Sequence, residues 1–283
     1  MKNNTTICKK VIVNNEDNLQ GRAYQNGGKL PSETGRGALD LISPEDKWYI
    51  LGYTYADGSV LKDKLNRWYM RWKCKDKDII EYIKSSLNLS VKTQIVDNKY
   101  YAISKGSKEL CNEFMSYGIV PNKTYMCIFP TIDIKYFKYF LRGYFDGDGS
   151  VSIRKEKKGK YIQTQFVNKL KYNLQELGNI IKNELGCIPH IYPHEGSYRL
   201  NYTVHATISL YHYIYDNKAF FLNRKKDVFK NWLKERNQPN YGRRVCEICN
   251  NTYSVLHDKS RVCYKCKIKV KTQSDLIGDN KLT

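Results

Sequence analysis

Two aspartates occupy equivalent places in a motif that occurs twice in the chain. Residues 50–60 read ILGYTYADGSV and residues 140–151 read FLRGYFDGDGSV, so that Asp57 aligns with Asp148, 91 residues further on. Each motif is an apolar run that ends in Asp-Gly. Paired carboxylates are what a nuclease site that uses divalent metal requires. The sequence therefore predicts such a site, provided that the fold brings the two aspartates together.

Small residues within the motifs indicate how they pack. Each motif has a glycine that is followed four residues later by another small residue, Gly52 with Ala56 and Gly143 with Gly147. Residues at i and i+4 lie on one face of a helix, and small side chains there allow two backbones to approach closely. We therefore predict two packed helices whose C-terminal ends bring the aspartates together.

The place of each aspartate at a helix end favours a bound cation. We expect the glycine after each aspartate to take the left-handed conformation that terminates many helices. An aspartate in the last turn lies at the negative end of the helix dipole, and two neighbouring carboxylates raise each other's pKa. A shared divalent cation compensates both effects, and Mg²⁺ suits the site because it prefers oxygen ligands and keeps several waters. The alternative is that both aspartates only cap turns.

The repeat extends beyond the two motifs. In each half the pattern predicts a helix, two strands, a helix, two strands and a helix. The later helices are expected near residues 79–87, 108–117, 174–185 and 207–215. A repeat of about 90–100 residues is too long for a solenoid unit and favours a pseudo-twofold pair of subdomains. The predicted divisions are an N-terminal arm or linker at 1–44, a first half at 45–130, a second half at 131–238 and a C-terminal module at 239–283.

The charge of the chain indicates a polyanionic partner. The 283 residues carry a net charge of +20, with a pI of about 9.4, and nucleic acid is the first partner that such a balance suggests. A solvated basic face is the alternative. The absence of an apolar run of about 18 residues or a secretion signal predicts a protein without membrane spans. We expect it inside the cell, either in the cytoplasm of a bacterial or phage-infected cell or in an organelle.

Alternating residues predict strands with one polar face. In residues 67–73 (RWYMRWK) cations and a tyrosine alternate with Trp68, Met70 and Trp72, as in a half-buried strand. Similar alternation occurs in residues 150–154, 161–166 and 199–204, and residues 156–160 between the first two form a basic turn. Arg, Gln and Asn hydrogen-bond guanine and adenine edges in the major groove, although an ordinary sheet with a solvated face is the alternative. The residues predicted to contact DNA are Arg67, Tyr69, Arg71, Lys73, Ser152, Arg154, Tyr161, Gln163, Gln165, Arg199, Asn201 and Thr203.

A second metal site is predicted near the C-terminus. Cys246-x2-Cys249-x13-Cys263-x2-Cys266 has the spacing of a four-cysteine zinc site, and a closed site of four thiolates is structural rather than catalytic. His257 is an alternative ligand. The segment resembles a small zinc ribbon or treble-clef finger. Its many basic neighbours favour a role in extending the DNA contact, and the alternative is a module that only adds stability.

The motifs ILGYTYADG and FLRGYFDGDG, with the matched ends of the two halves, resemble the two-motif LAGLIDADG homing endonucleases over about residues 45–236. The resemblance implies an α+β fold with a duplicated αββαββα order, in which two sheets form a saddle on duplex DNA. It also implies that Asp57 and Asp148 bind Mg²⁺ or Mn²⁺, together with the residues before them, Ala56 and Gly147.

The resemblance implies further catalytic residues. Lys123 and Lys225 match the family's basic residue near the site in each half, and Lys226 is a near alternative. Such a lysine could polarise water or stabilise charge on the phosphate. Gln165 is the candidate for the polar residue that often completes a site, and its counterpart in the first half is unassigned. The first motif has Tyr55 where the family often has an acid and the second motif has Asp146, which predicts unequal halves.

The function that follows is site-specific cleavage of both strands of DNA by a monomer, at a long and imperfectly symmetric site. The alternatives are a maturase that helps an intron RNA to fold, or a regulator that binds nucleic acid without cutting. A nuclease embedded in an intein is a weaker alternative, because the chain starts with Met and does not end in His-Asn.

Overall fold

A computed structural model of the chain describes residues 37–123, 129–156, 159–215, 220–236, 243–254 and 261–270. Within these ranges it contains two four-stranded antiparallel sheets, a short two-stranded sheet and helices. The predicted α+β class and the duplicated order of elements are therefore confirmed. Residues 1–36 of the predicted arm and His257 lie outside the described residues.

The first half consists of helix α1, two strands, helix α2, two strands and helix α3. The strand order in its sheet is β1-β2-β4-β3. The bounds are α1 Pro44–Asp57, β1 Gly58–Lys62, β2 Trp68–Cys74, α2 Lys77–Ser86, β3 Gln94–Val96, β4 Tyr100–Gly106 and α3 Lys108–Ser116. The Ser43 side chain accepts a hydrogen bond from the amide of Asp46, and Pro44 occupies the first helical position. These residues start α1 because they satisfy or remove amide groups that have no partner within the helix.

The second half repeats this order and is followed by a further described helix, α7. Its strand order is β5-β6-β8-β7, which matches the first sheet strand for strand. The bounds are α4 Ile134–Asp148, β5 Gly149–Glu156, β6 Gly159–Asn168, α5 Lys171–Leu185, β7 His190–His194, β8 Ser197–Tyr202, α6 Val204–Tyr215 and α7 Asn223–Glu235. The two-stranded sheet comprises β9 Arg243–Val245 and β10 Thr252–Ser254.

Helices α1 and α4 pack together without space for a side chain at the predicted glycines. A methyl group on Gly52 would lie 2.1 Å from the carbonyl oxygen of Phe140, and one on Gly143 would lie 2.0 Å from that of Tyr49. Real Cβ atoms do not approach backbone so closely, and backbone in a packed core cannot easily move. The predicted helix pair is therefore confirmed.

The glycines after the two aspartates do not have the predicted conformation. Gly58 has a φ of −80° and Gly149 a φ of −76°, so both are extended and the left-handed prediction is wrong. Space explains these glycines instead. A methyl group would lie 2.4 Å from Thr54 Cγ2 at Gly58 and 2.6 Å from the Phe145 carbonyl oxygen at Gly149. The absence of a side chain lets each strand start directly from the last helical turn.

Each sheet packs its apolar face on the helices. Met70 and Trp72 are fully buried, as predicted, whereas Trp68 is half-buried at the start of its strand. In the second sheet Phe166 is buried, but Ile153 is exposed because β5 leaves the core towards its far end. Among the described residues no helix is both long enough and apolar enough to cross a membrane.

Candidate metal centre and nucleic-acid interface

Asp57 and Asp148 are the last residues of the two packed helices. The packing stays tight up to the aspartates: a methyl group on Gly147 would lie 2.3 Å from Ala56 Cβ and 3.6 Å from the backbone nitrogen of Asp57. The Tyr53 hydroxyl, one turn before Asp57, donates a long hydrogen bond of 3.5 Å to its carboxylate. The structure thus brings the two predicted acids to one place, where the helices end and the sheets begin.

The two carboxylates share one electrostatic environment. Loss of solvent and, second in size, the negative charge of Asp57 raise the pKa of Asp148 to about 6. Loss of solvent also raises the pKa of Asp57, although its side chain opens to solvent on one side. The charges of Lys123 and Lys225 act in the opposite direction on both acids. Repulsion between two carboxylates is what a shared cation would relieve.

Lys123 and Lys225 occupy equivalent places at the two helix ends. The Lys123 ammonium donates to the carbonyl oxygens of Thr54 at 2.8 Å and Tyr55 at 2.7 Å, and also to that of Ala56. The carbonyls of Tyr55 and Ala56 lie in the last turn of α1, and that of Thr54 also accepts the amide of Gly58. The negative end of the helix dipole attracts a cation.

Lys225 makes the corresponding contacts at the end of α4. Its ammonium lies 2.6 Å from the carbonyl oxygens of Phe145 and Gly149, 2.7 Å from that of Asp146 and 3.2 Å from that of Gly147. Burial lowers the pKa of Lys225 to about 8. The alternative residue, Lys226, instead lies 3.7 Å from the centre of the Phe221 ring. Of the two lysines, Lys225 is therefore the one at the helix end.

These contacts bear on two predicted roles. The ammonium groups of Lys123 and Lys225 already donate hydrogen bonds to backbone carbonyls. These contacts fit a role in which the two lysines fix the helix ends and compensate the charge of the carboxylates. The oxygens of Ala56 and Gly147 accept bonds from these lysines. A carbonyl oxygen has two lone pairs, so metal ligation by these two residues stays compatible with the lysine contacts. Water polarisation by the lysines stays a prediction.

The residues that make the two motifs unequal have different surroundings. Asp146 is fully buried and accepts hydrogen bonds from the Tyr49 hydroxyl at 2.9 Å, the Tyr215 hydroxyl at 3.1 Å and the Leu222 amide at 3.0 Å. Tyr55, at the equivalent place, packs edge-on against aromatic rings, including that of Tyr144 at 5.4 Å between ring centres. Asp146 therefore joins elements of both halves, a role that its position in the motif alone did not indicate.

The predicted DNA-contacting residues of the second sheet share one face. Arg154 on β5 lies opposite Tyr161 on β6, and Gln165 on β6 lies opposite Asn201 on β8. The further members of this face are Ser150 opposite Gln165, Ser152 opposite Gln163, and Arg199 opposite Tyr192. Thr203 is exposed directly after β8.

Two glutamines on this face are less accessible than the prediction assumed. Gln163 is 7% exposed and Gln165 is 8% exposed. Gln163 Nε2 lies 3.3 Å from the Ser152 hydroxyl, and Gln165 Nε2 lies 3.1 Å from the Tyr192 hydroxyl. Gln165 lies across from Ser150, two residues after Asp148, which places it near the two aspartates. Tyr192 is a polar residue of this face that the sequence analysis missed, although the period-two pattern of β7 could have indicated it.

In the first sheet, Tyr69, Arg71 and Lys73 alternate with the buried residues, as predicted. Lys73 Nζ forms an ion pair of 2.9 Å with Asp97. Arg67 precedes β2, is exposed, and pairs with Asp63 at 2.7 Å inside the same hairpin. Their contacts with DNA stay predictions.

The four predicted zinc ligands form one cluster. The sulfur atoms of Cys246, Cys249, Cys263 and Cys266 all lie within 4.8 Å of one another. The amide of Cys263 donates to the Cys246 sulfur at 3.3 Å. Sulfurs that surround a tetrahedral zinc at about 2.3 Å are separated by distances of this size. Among the described residues this is the one such cluster, and its chemistry fits zinc.

The cysteine module packs on the helices of the second half. Strand β10 contacts α6, and Lys265 Nζ forms an ion pair of 3.0 Å with Glu184, near the end of α5. Both helices also pack against strands of the second sheet. The module is therefore attached to the helical layer, a position that the cysteine spacing could not indicate.

The chain is similar to several solved structures, among them three with 14–21% identity and TM-scores of 0.45–0.48. I-SmaMI bound to uncleaved DNA target in the presence of calcium ions has 16% identity and a TM-score of 0.48, with 68% of this chain and 90% of that chain covered. The homing endonuclease I-GzeII in complex with DNA target has 14% identity and a TM-score of 0.47, with 68% of this chain and 89% of that chain covered. I-DmoI in complex with DNA and Mn has 21% identity and a TM-score of 0.45, with 62% of this chain and 99% of that chain covered.

No curated protein matches the sequence. A family model described as a LAGLIDADG-like domain matches residues 136–217. This range starts within α4 and contains the second motif and the whole second sheet. Residues 136–217 are therefore similar to a LAGLIDADG-like domain, in agreement with the resemblance of the second motif.

Proposed function

We propose that the chain is a site-specific endonuclease that cuts both strands of duplex DNA. The observation that carries the proposal is the meeting of Asp57 and Asp148 at the ends of two matched helices. The negative charge of Asp57 raises the pKa of Asp148, and a shared cation would relieve this repulsion. The LAGLIDADG-like domain at residues 136–217 supports the same function. The net charge of +20 supports a nucleic-acid partner.

The cation in this proposal is Mg²⁺ or Mn²⁺, held by the carboxylates of Asp57 and Asp148 with Ala56 and Gly147 as further ligands. When bound, such a cation activates water and stabilises the leaving oxygen of the phosphodiester. The chain's own contribution is to fix the two carboxylates through the helix pair. Lys123 and Lys225 hold the helix ends and lower the repulsion that opposes ionisation of both acids.

The polar faces of the two sheets supply the DNA contact in this proposal. The cross-strand pairs support the proposal that one continuous surface contacts DNA. This surface comprises Ser152 and Arg154 on β5, Tyr161 and Gln163 on β6, and Arg199 and Asn201 on β8. Two halves in one chain permit a long, imperfectly symmetric site and remove the need for a second subunit. Asn and Gln side chains read adenine edges, and Arg reads guanine. We expect the protein to act as a monomer inside the cell that holds its target DNA.

The second metal in this proposal is zinc, held by the four-cysteine cluster. Four thiolates close the coordination shell, so the metal would be structural and would take no part in catalysis. Basic residues near the cluster favour an extended DNA contact for this module.

Selection of cleaved molecules from a randomised duplex library tests the function. With Mg²⁺ we expect one sequence family to be enriched, and with Ca²⁺ we expect binding to the same family without cutting. Preference for a folded RNA over duplex DNA, without Mg²⁺-dependent nicking, would contradict the proposal and would instead favour the maturase.

A further inference from the structure

The segment of residues 220–225 belongs to the second half in sequence but contacts the first half. The Phe220 ring stacks on that of Tyr82 in α2, with ring centres 4.0 Å apart and planes at 10°. It also lies edge-on to Tyr49 in α1, at 5.5 Å. Stacking of aromatic rings adds attraction beyond the buried area. One end of the segment is therefore attached to the helices of the other half.

An ion pair attaches the other end. The Arg224 guanidinium forms three contacts of 2.8–3.0 Å with both carboxylate oxygens of Asp76. Asp76 precedes α2 in the first half, 148 residues away. A bidentate pair is stronger and more directional than a single contact between exposed charges. The ion pair therefore restrains the backbone at residue 224, directly before Lys225.

Between these two attachments the segment reaches the metal centre. The Leu222 amide donates to the buried Asp146 at 3.0 Å, and the Lys225 ammonium holds the last carbonyls of α4. A lysine side chain is flexible, so its place depends on how well the neighbouring backbone is held. The contacts of Leu222 and Arg224 restrain that backbone on both sides of residue 223.

The duplication provides no second copy of this ion pair. Asn122, which precedes Lys123, is the equivalent of Arg224, and Leu170, which precedes α5, is the equivalent of Asp76. Neither residue is charged. The pair is thus a feature of one side of the molecule and does not follow from the duplication.

We propose that Arg224 and Asp76 are positioning residues for the second half of the metal centre. Their ion pair holds residues 220–225 on the first half, which places Lys225 against the end of α4 and so fixes Asp148 beside Asp57. The proposal rests on the proposed nuclease function.

The test compares Arg224→Ala, Asp76→Asn and the charge-reversed double variant Arg224→Asp with Asp76→Arg, on a DNA site that the wild-type protein cuts. We expect each single variant to cut about tenfold more slowly in single turnover at saturating protein, because misplaced groups lose rate. We expect DNA affinity in Ca²⁺ to change by less than about twofold, because the pair holds the metal centre and not the DNA. The double variant should regain most of the lost rate.

Lys84→Ala is the control, because it removes a partly exposed ion pair with Glu81 inside one half. It should cut at the wild-type rate. Weaker DNA binding by Arg224→Ala with an unchanged cutting rate would overturn the proposal and make Arg224 a DNA contact. Equal loss in the single and double variants would also overturn it. If the wild-type protein itself does not cut, the proposed function fails instead.

Discussion

At the scale of single residues, the two aspartates are the centre of the account. Their place in the motifs made them visible in the sequence, because the same Asp-Gly ends both apolar runs. Their surroundings were not visible. The lysine contacts with helix carbonyls, and the buried Asp146 with its three donors, depend on residues that are far apart in the chain.

Replacing either metal carboxylate by its amide should stop cleavage and preserve DNA binding. We expect Asp57→Asn and Asp148→Asn each to abolish double-strand cutting, because the amide keeps the shape and loses the charge that holds the cation. Plasmid linearisation and affinity in Ca²⁺ are the measurements. Asp78→Asn, an exposed acid in the first turn of α2, is the control that should cut normally. Full cleavage by either metal-site variant would refute the assignment of these residues.

Cation binding should weaken in mild acid. The pKa of Asp148 is raised to about 6, so the ionised form that would hold the proposed cation is present above that pH and is lost below it. Below pH 6 we expect affinity for Ca²⁺ to fall by about tenfold per pH unit, because proton and cation compete for one carboxylate. Calorimetric titration between pH 5 and pH 7.5 measures this effect. Constant affinity across that range would show that Asp148 is not a ligand with the assigned pKa.

At the scale of elements, the paired helices were predictable and their ends were not. Small residues at i and i+4 were enough to predict the contact between α1 and α4. The conformation of Gly58 and Gly149 could not be predicted from the sequence, because glycine occurs for two different reasons. It is favoured where a helix ends in the left-handed conformation, and also where neighbouring atoms leave no room for a Cβ. Here the second reason applies. The strand faces followed from period two, but the burial of Gln163 and Gln165 depends on neighbouring strands that the local pattern does not specify.

Adding one methyl group at the helix interface should destabilise the protein. In Gly143→Ala the new Cβ would lie 2.0 Å from a backbone oxygen. We expect a loss of about 3 kcal/mol in the free energy of unfolding, as for other overpacked cores. Gly106→Ala is the matched control, because a Cβ there meets nothing within 4 Å. Chemical denaturation of both variants checks the prediction, and similar stability for the two would contradict the tight contact.

At the scale of the whole molecule, the duplication, the charge and the cysteine spacing predicted two halves, a nucleic-acid partner and a separate metal module. Where the module attaches could not be predicted, since the ion pair of Lys265 with Glu184 joins residues that are 81 positions apart. The contact between the 220–225 segment and the first half escaped prediction for the same reason. Sequence patterns show which surfaces are apolar or charged, and only the folded chain shows which of them meet.

Removing zinc should weaken DNA binding more than it slows chemistry. The module lies on the helices of the second half, away from the carboxylates in sequence and in packing. After chelation, or in a chain without residues 239–283, we expect lower DNA affinity and a single-turnover rate at saturating protein close to that of the intact protein. Filter binding and quenched cleavage assays measure the two quantities. Unchanged affinity would argue against a DNA role for the module and leave it a stabilising one.

The most direct test of the central claim is a crystal structure of the protein with a cleavable DNA site and Mn²⁺, with metal located by anomalous scattering. We expect manganese to be bound by the carboxylates of both Asp57 and Asp148, next to the scissile phosphates. Manganese bound elsewhere, or carboxylates too far apart to share it, would contradict the account.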